Sequence, residues 1–136
     1  SITDAVSNIF IGQAAGNTTT SADKTIGIGH GAMQANVTSA AVGSIAIGYQ
    51  SLNALTSGGY NLAIGYQAGE DYNPSANTGD CVFVGAQAGL NASSTTKTTF
   101  IGAGAGGSGA TSGAENTAVG YQSLLLNTTG ANELLP

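Results

Sequence analysis

The sequence predicts an all-β chain wound as a parallel β-roll, or β-solenoid, of about seven coils with 17–20 residues each. Three observations predict it. A five-residue signature ending in Ile-Gly or Val-Gly recurs seven times at nearly constant spacing. No 3.6-residue apolar stripe of the kind a packed helix needs runs through the chain. No charged residue falls within a signature, as expected of segments buried by stacking.

The signatures are NIFIG (8–12), TIGIG (25–29), SIAIG (44–48), NLAIG (61–65), CVFVG (81–85), TTFIG (98–102) and NTAVG (116–120). Their final glycines, Gly12, Gly29, Gly48, Gly65, Gly85, Gly102 and Gly120, mark one coil each of a single repeat domain, residues 1–136. The residue before each glycine is always Ile or Val, which is strand chemistry. A period this short holds two strands of about five residues and two turns, and stacked strands lie about 4.8 Å apart. The glycines fit a bend where a Cβ would strike the next coil. Three residues after each glycine the side chain is Ala or Ser, so space is tight there. After Gly120, Leu134 and Leu135 fall where an eighth signature would begin; the alternative is a leucine cap over the last coil.

Alternation places the residues one and three before the glycine on one face, and these larger aliphatics are expected to form the core. The opposite face carries Phe10, Gly27, Ala46, Ala63, Phe83, Phe100 and Ala118, none of them polar. A strand apolar on both faces needs cover on both. That second face is expected to meet another copy of the chain, with Phe10, Phe83 and Phe100 as intersubunit contacts.

Composition narrows the function. With two Lys, no Arg and a net charge of −5, the chain has no cationic surface for nucleic acid or anionic membranes. No apolar run is long enough for membrane insertion. One His and one Cys give no set of nucleophile, base and orienting acid, so no enzyme, cofactor or metal site is expected. Gly102, Gly104 and Gly107 spell a dinucleotide-loop pattern, but no βαβ context surrounds it. Glu70, Asp71 and Asp80 lack the per-coil register of calcium-binding solenoids. His30 reads as a surface side chain and Cys81 as a tolerated substitution at a small, mostly polar position. Gln50, Gln67 and Gln87 share a register and are expected to form an amide ladder. The longest spacer supplies the candidate surface-binding turn, with Glu70, Asp71, Tyr72 and Pro74.

The segments SIAIGYQSL (44–52), NLAIGYQAG (61–69) and NTAVGYQSLLLNTTG (116–130) resemble the YadA-type head repeats of trimeric autotransporter adhesins and the related β-roll repeats of phage tail-fibre proteins. The resemblance spans residues 8–130. It implies a left-handed homotrimer and a structural role in a phage tail fibre or related attachment fibre, mediating adhesion to a host-surface receptor or glycan. The setting it implies is a virion tail fibre or the cell surface, with this chain a fragment of a longer fibre. The alternatives are the head of a bacterial trimeric autotransporter adhesin and a self-assembling extracellular filament.

Overall fold

The computed structural model describes residues 6–75, 78–107, 113–126, 129–131 and 134–135. Each signature contributes one three-residue strand: β1 (Ile9–Ile11), β2 (Ile26–Ile28), β3 (Ile45–Ile47), β4 (Leu62–Ile64), β5 (Val82–Val84), β6 (Thr99–Ile101) and β7 (Thr117–Val119). They form one parallel sheet in sequence order. Ile9 pairs with Ile26, Ile26 with Ile45 and Ile45 with Leu62, so each signature position lies on its equivalent one coil away. A further strand, β8 (Leu134–Leu135), pairs in parallel with β7, with Leu134 on Thr117. This is the eighth-strand alternative. Leu124 lies in the core of the seventh coil, and Leu126 is exposed.

Among the described residues, regular strand is confined to the seven signatures and β8, whereas two strands per coil were expected. The physical reason is backbone handedness. Residues two and four positions after the signature glycine adopt positive φ in coil after coil: Gln50 and Leu52, Gln67 and Gly69, Gln87 and Gly89, Gln122 and Leu124. Left-handed residues cannot continue an extended strand. The ladder nevertheless persists. The N–H of Gln67 donates back to Tyr49 O at 2.8 Å, and that of Gly69 donates forward to Ala88 O at 2.9 Å. The same pair of bonds recurs at Gln50 and Leu52 and at Gln87 and Gly89. Backbone polar groups are thereby satisfied without a second strand.

The signature glycines behave as expected. Gly12 has φ +132°, and a Cβ on it would stand 2.6 Å from Gly29 O. Gly29, Gly48, Gly65, Gly85 and Gly102 meet the next glycine's backbone in the same way.

The two faces of the strand are reversed from the sequence expectation. Ala46, Ala63, Phe83, Phe100 and Ala118 are wholly enclosed and Phe10 packs against them, while Ile9, Ile11, Ile47, Ile64, Ile101 and Val119 face outward. The coil is narrow, and its interior accepts a phenylalanine only beside a glycine. Phe83 is matched by Gly89 and Phe100 by Gly106, whereas Ala46 is matched by Leu52 and Ala118 by Leu124. Parity places the residue four before the glycine on this inner face too. Thr25, Ser44, Asn61, Cys81, Thr98 and Asn116 are accordingly buried. They are polar but satisfied. The Cys81 N–H donates to Asn61 Oδ1 at 3.2 Å, Asn61 Nδ2 donates to Gly58 O at 2.8 Å, and the Thr95 and Thr98 hydroxyls lie 2.7 Å apart. A column of small hydrogen-bonding side chains therefore runs beside a column of apolar ones, and each coil is closed by its neighbours.

Candidate functional site

Three surfaces carry side chains able to meet a partner. The first is the turn from Gly69 to Gly79, the longest spacer. The structure divides the four residues expected there. Tyr72 is completely buried and Pro74 is also turned inward, so neither is available for recognition. Tyr72 packs into the core with its ring edge-on to Phe83 at 5.1 Å between centroids. Its hydroxyl donates to Cys81 Sγ at 3.4 Å. Asp71 is exposed and Glu70 half-buried. Partial burial, with Asp71 alongside, holds the Glu70 carboxyl above its ordinary range. Among the described residues no group of three His, Cys, Asp or Glu side chains lies together.

Cys81 is enclosed, and burial pushes its thiol up, with the Tyr72 hydrogen bond acting in the opposite direction. Burial, with Cys81 nearby, also drives the Tyr72 phenol far above its ordinary value. Both stay neutral, inert and structural.

The second surface is the outer face of the sheet. Its rows are Ile11, Ile28, Ile47, Ile64, Val84, Ile101 and Val119 and, two residues earlier, Ile9, Ile26, Ile45, Leu62, Val82, Thr99 and Thr117. All are exposed or half-exposed. The rows are β-branched or leucine throughout and carry no charge. A sheet face of this kind is unusual for one left to water. Phe83 and Phe100, expected as intersubunit contacts, are wholly enclosed within the chain, and Phe10 is largely packed on its own core. The aliphatic rows, not the phenylalanines, are the apolar surface offered outward. Alternation fixes which residues share a face but not which face is enclosed, since both are largely apolar.

The third surface follows the bend after each signature. His30, Tyr49 and Tyr66 stack with centroids 5.2 and 5.3 Å apart and ring planes within 12°. Beside them the glutamine ladder forms as expected. Gln67 Nε2 donates to Gln50 Oε1 at 3.4 Å, and Gln87 Nε2 to Gln67 Oε1 at 3.1 Å. His30 is exposed, as expected of a surface side chain, and its stacking on Tyr49 and Tyr66 follows from the register the three share, one residue after a signature glycine.

Fold and surface together define a parallel β-solenoid with a thin closed core and an uncharged, mostly aliphatic outer sheet face. Comparison with protein-family models, with curated proteins and with solved structures finds no match.

Proposed function

We propose that this chain is a non-enzymatic structural segment of an extended attachment fibre, in which copies lie side by side through the outer faces of their sheets. The reading takes three copies in a left-handed assembly, with a phage tail fibre as its setting and contact with a host-surface receptor or glycan as its task. The observation that carries it is the uncharged, mostly aliphatic band on the outer sheet face, running coil after coil from Ile9 to Val119 with Thr99 and Thr117 as its polar members. A monomer would leave that band in water. Association of copies covers it at about 25 cal/mol for each Å² removed from water, and the coil-to-coil ladder makes the product a stiff spacer. Multiple turns along such a rod supply weak, repeated contacts with a surface. The repeat resemblance supports the same reading, and it leaves a bacterial adhesin head as the second setting.

Light scattering with small-angle X-ray scattering tests the assembly. The expected result is three times the 13.2 kDa chain mass in an elongated particle. A compact monomer at every concentration overturns it, and open-ended growth with concentration points to a filament instead. Adsorption of that particle to cells, lost on trypsin or glycosidase treatment of the cell surface, tests attachment.

A further inference from the structure

An open groove of about 300 Å³ lies where the 3-10 turn η1 (Ser39–Ala41) approaches the corners of the next two coils. Its position is fixed by the backbone. Tyr60 N–H donates to Val42 O at 2.9 Å and Asp80 N–H to Gly59 O at 3.2 Å, so three successive corners meet there. The lining is chemically mixed, with Ser39, Val42, Tyr60, Thr78 and Asp80 among it, and the Thr78 hydroxyl donates to Ser75 O at 2.6 Å, which leaves its oxygen as an acceptor. Tyr60 is 67% exposed yet held in place, because Gly43 leaves room for the ring against the preceding coil; a Cβ on Gly43 would stand 2.9 Å from Tyr60 Cδ1.

The groove holds no cation. Lys24 and Lys97 occupy the same corner row, one coil before Gly43 and one coil after Asp80, but neither lines it, and Lys97 Nζ lies 3.5 Å from Glu115 Oε1. The Asp80 carboxylate has no ion-pair partner among the described residues. An anionic ligand would meet this carboxylate with no cation among the lining residues, so phosphate, sulfate and sialyl groups are disfavoured. An exposed aromatic ring suits the C–H face of a pyranose, and a carboxylate flanked by hydroxyls suits vicinal O–H donors.

We infer that this groove binds a neutral saccharide, with a sugar ring on Tyr60 and its hydroxyls donating to Asp80, while Ser39 and Thr78 complete the polar contacts. The inference deepens the attachment reading by naming its ligand class, and rests on that reading only for the expectation of a surface ligand. Repetition of one such groove per copy would make individually weak contacts additive in a fibre.

The test is an array of neutral, sialylated and sulfated glycans, followed by amide-shift titration of the full chain with the methyl glycoside of the best neutral hit. The expected result is binding confined to neutral glycans, with shifts at residues 39–42, 59–60 and 78–80. Tyr60→Ala should weaken it at least tenfold while Tyr60→Phe retains it. Asp80 has φ +58°, a backbone that asparagine tolerates, so Asp80→Asn tests the carboxylate without risk to the fold and should weaken binding about tenfold. Absence of any neutral hit, shifts elsewhere, or equal binding by Tyr60→Ala and Asp80→Asn overturns the inference. A trimeric rod with a silent groove sinks the groove alone, and a responding groove on a compact monomer sinks the fibre alone.

Discussion

Gly89 lies against the ring of Phe83: a Cβ on Gly89 would stand 2.5 Å from Phe83 Cδ1. The same reciprocity joins Phe100 to Gly106 and, with sizes exchanged, Ala46 to Leu52 and Ala118 to Leu124. These coils thus fill one volume with one large and one small side chain, as close packing demands, whereas the coil of Ala63 and Gly69 pairs two small residues and takes Leu52 and Phe83 of its neighbours against Gly69. Gly89→Ala should destabilise by about 2–4 kcal/mol, through both the clash and the positive φ. In the third coil, Ala46→Phe and Leu52→Gly should each be destabilising, whereas the double variant should recover about 1–3 kcal/mol of coupling energy. Urea unfolding of the full cycle measures this, and strict additivity would refute the reciprocity.

The signature glycines should tolerate no side chain. Gly48 has φ +139°, and its Cβ would run into Gly65 O. Gly48→Ala combines left-handed strain with a backbone collision, for an expected loss of about 3–5 kcal/mol. Chemical denaturation checks it; unchanged or raised stability, the Gly-to-Ala outcome where the backbone suits alanine, would mean that the coils are spaced more loosely than described.

The buried polar column should be as sensitive as the apolar one. Asn61 accepts from Cys81 N–H and donates to Gly58 O. Asn61→Ala would strand both backbone groups inside the roll, at about 2–4 kcal/mol. Hydrogen exchange should show lost protection at the Cys81 amide before the global transition.

Stability should fall at alkaline pH. Cys81 and Tyr72 are both held neutral by burial, so their folded-state values lie above the unfolded ones. The contribution is complete below the ordinary thiol value of 9.0 and is lost as pH rises toward the folded values, at up to roughly 1.4 kcal/mol per pH unit for each group. Thermal melts from pH 7 to 11 should show Tm declining above about pH 9. Tyr72→Phe should flatten that decline while costing about 1 kcal/mol at pH 7 through the lost O–H···S contact. A wild-type Tm constant across the range would contradict the burial of this pair.

Charge on the outer face should separate association from folding. Ile47 and Ile64 are outward-facing and touch solvent. Lys at both positions should leave monomer unfolding within about 1 kcal/mol and abolish assembly by light scattering. Phe83→Ala should do the reverse, unfolding the coil by about 3–5 kcal/mol. If instead the lysine pair assembles like wild type, the outer face is not the contact between copies.

The sequence alone determined the winding period, the position of every signature strand, the parallel register and the glutamine ladder. Each follows from recurrence, because a residue repeated once per coil must stack on its equivalent when the coils hydrogen-bond in register. What only the tertiary structure decided was which strand face is enclosed and which residues turn left-handed. Alternation along Ile45, Ala46 and Ile47 fixes that neighbours oppose one another but gives no sign, since both faces are apolar. Closure of the coil supplies the sign: its narrow interior fits Ala46 with Leu52, or Phe83 with Gly89, and leaves the β-branched rows outside. The left-handed backbone at Leu52 and Leu124 was equally hidden, because leucine has no preference for it; at Leu52 the N–H donates to Ala68 O of the next coil, and both side chains enter the core. Tyr72 shows the same logic: it reads as a surface aromatic in a polar turn, yet it is wholly buried, edge-on to Phe83.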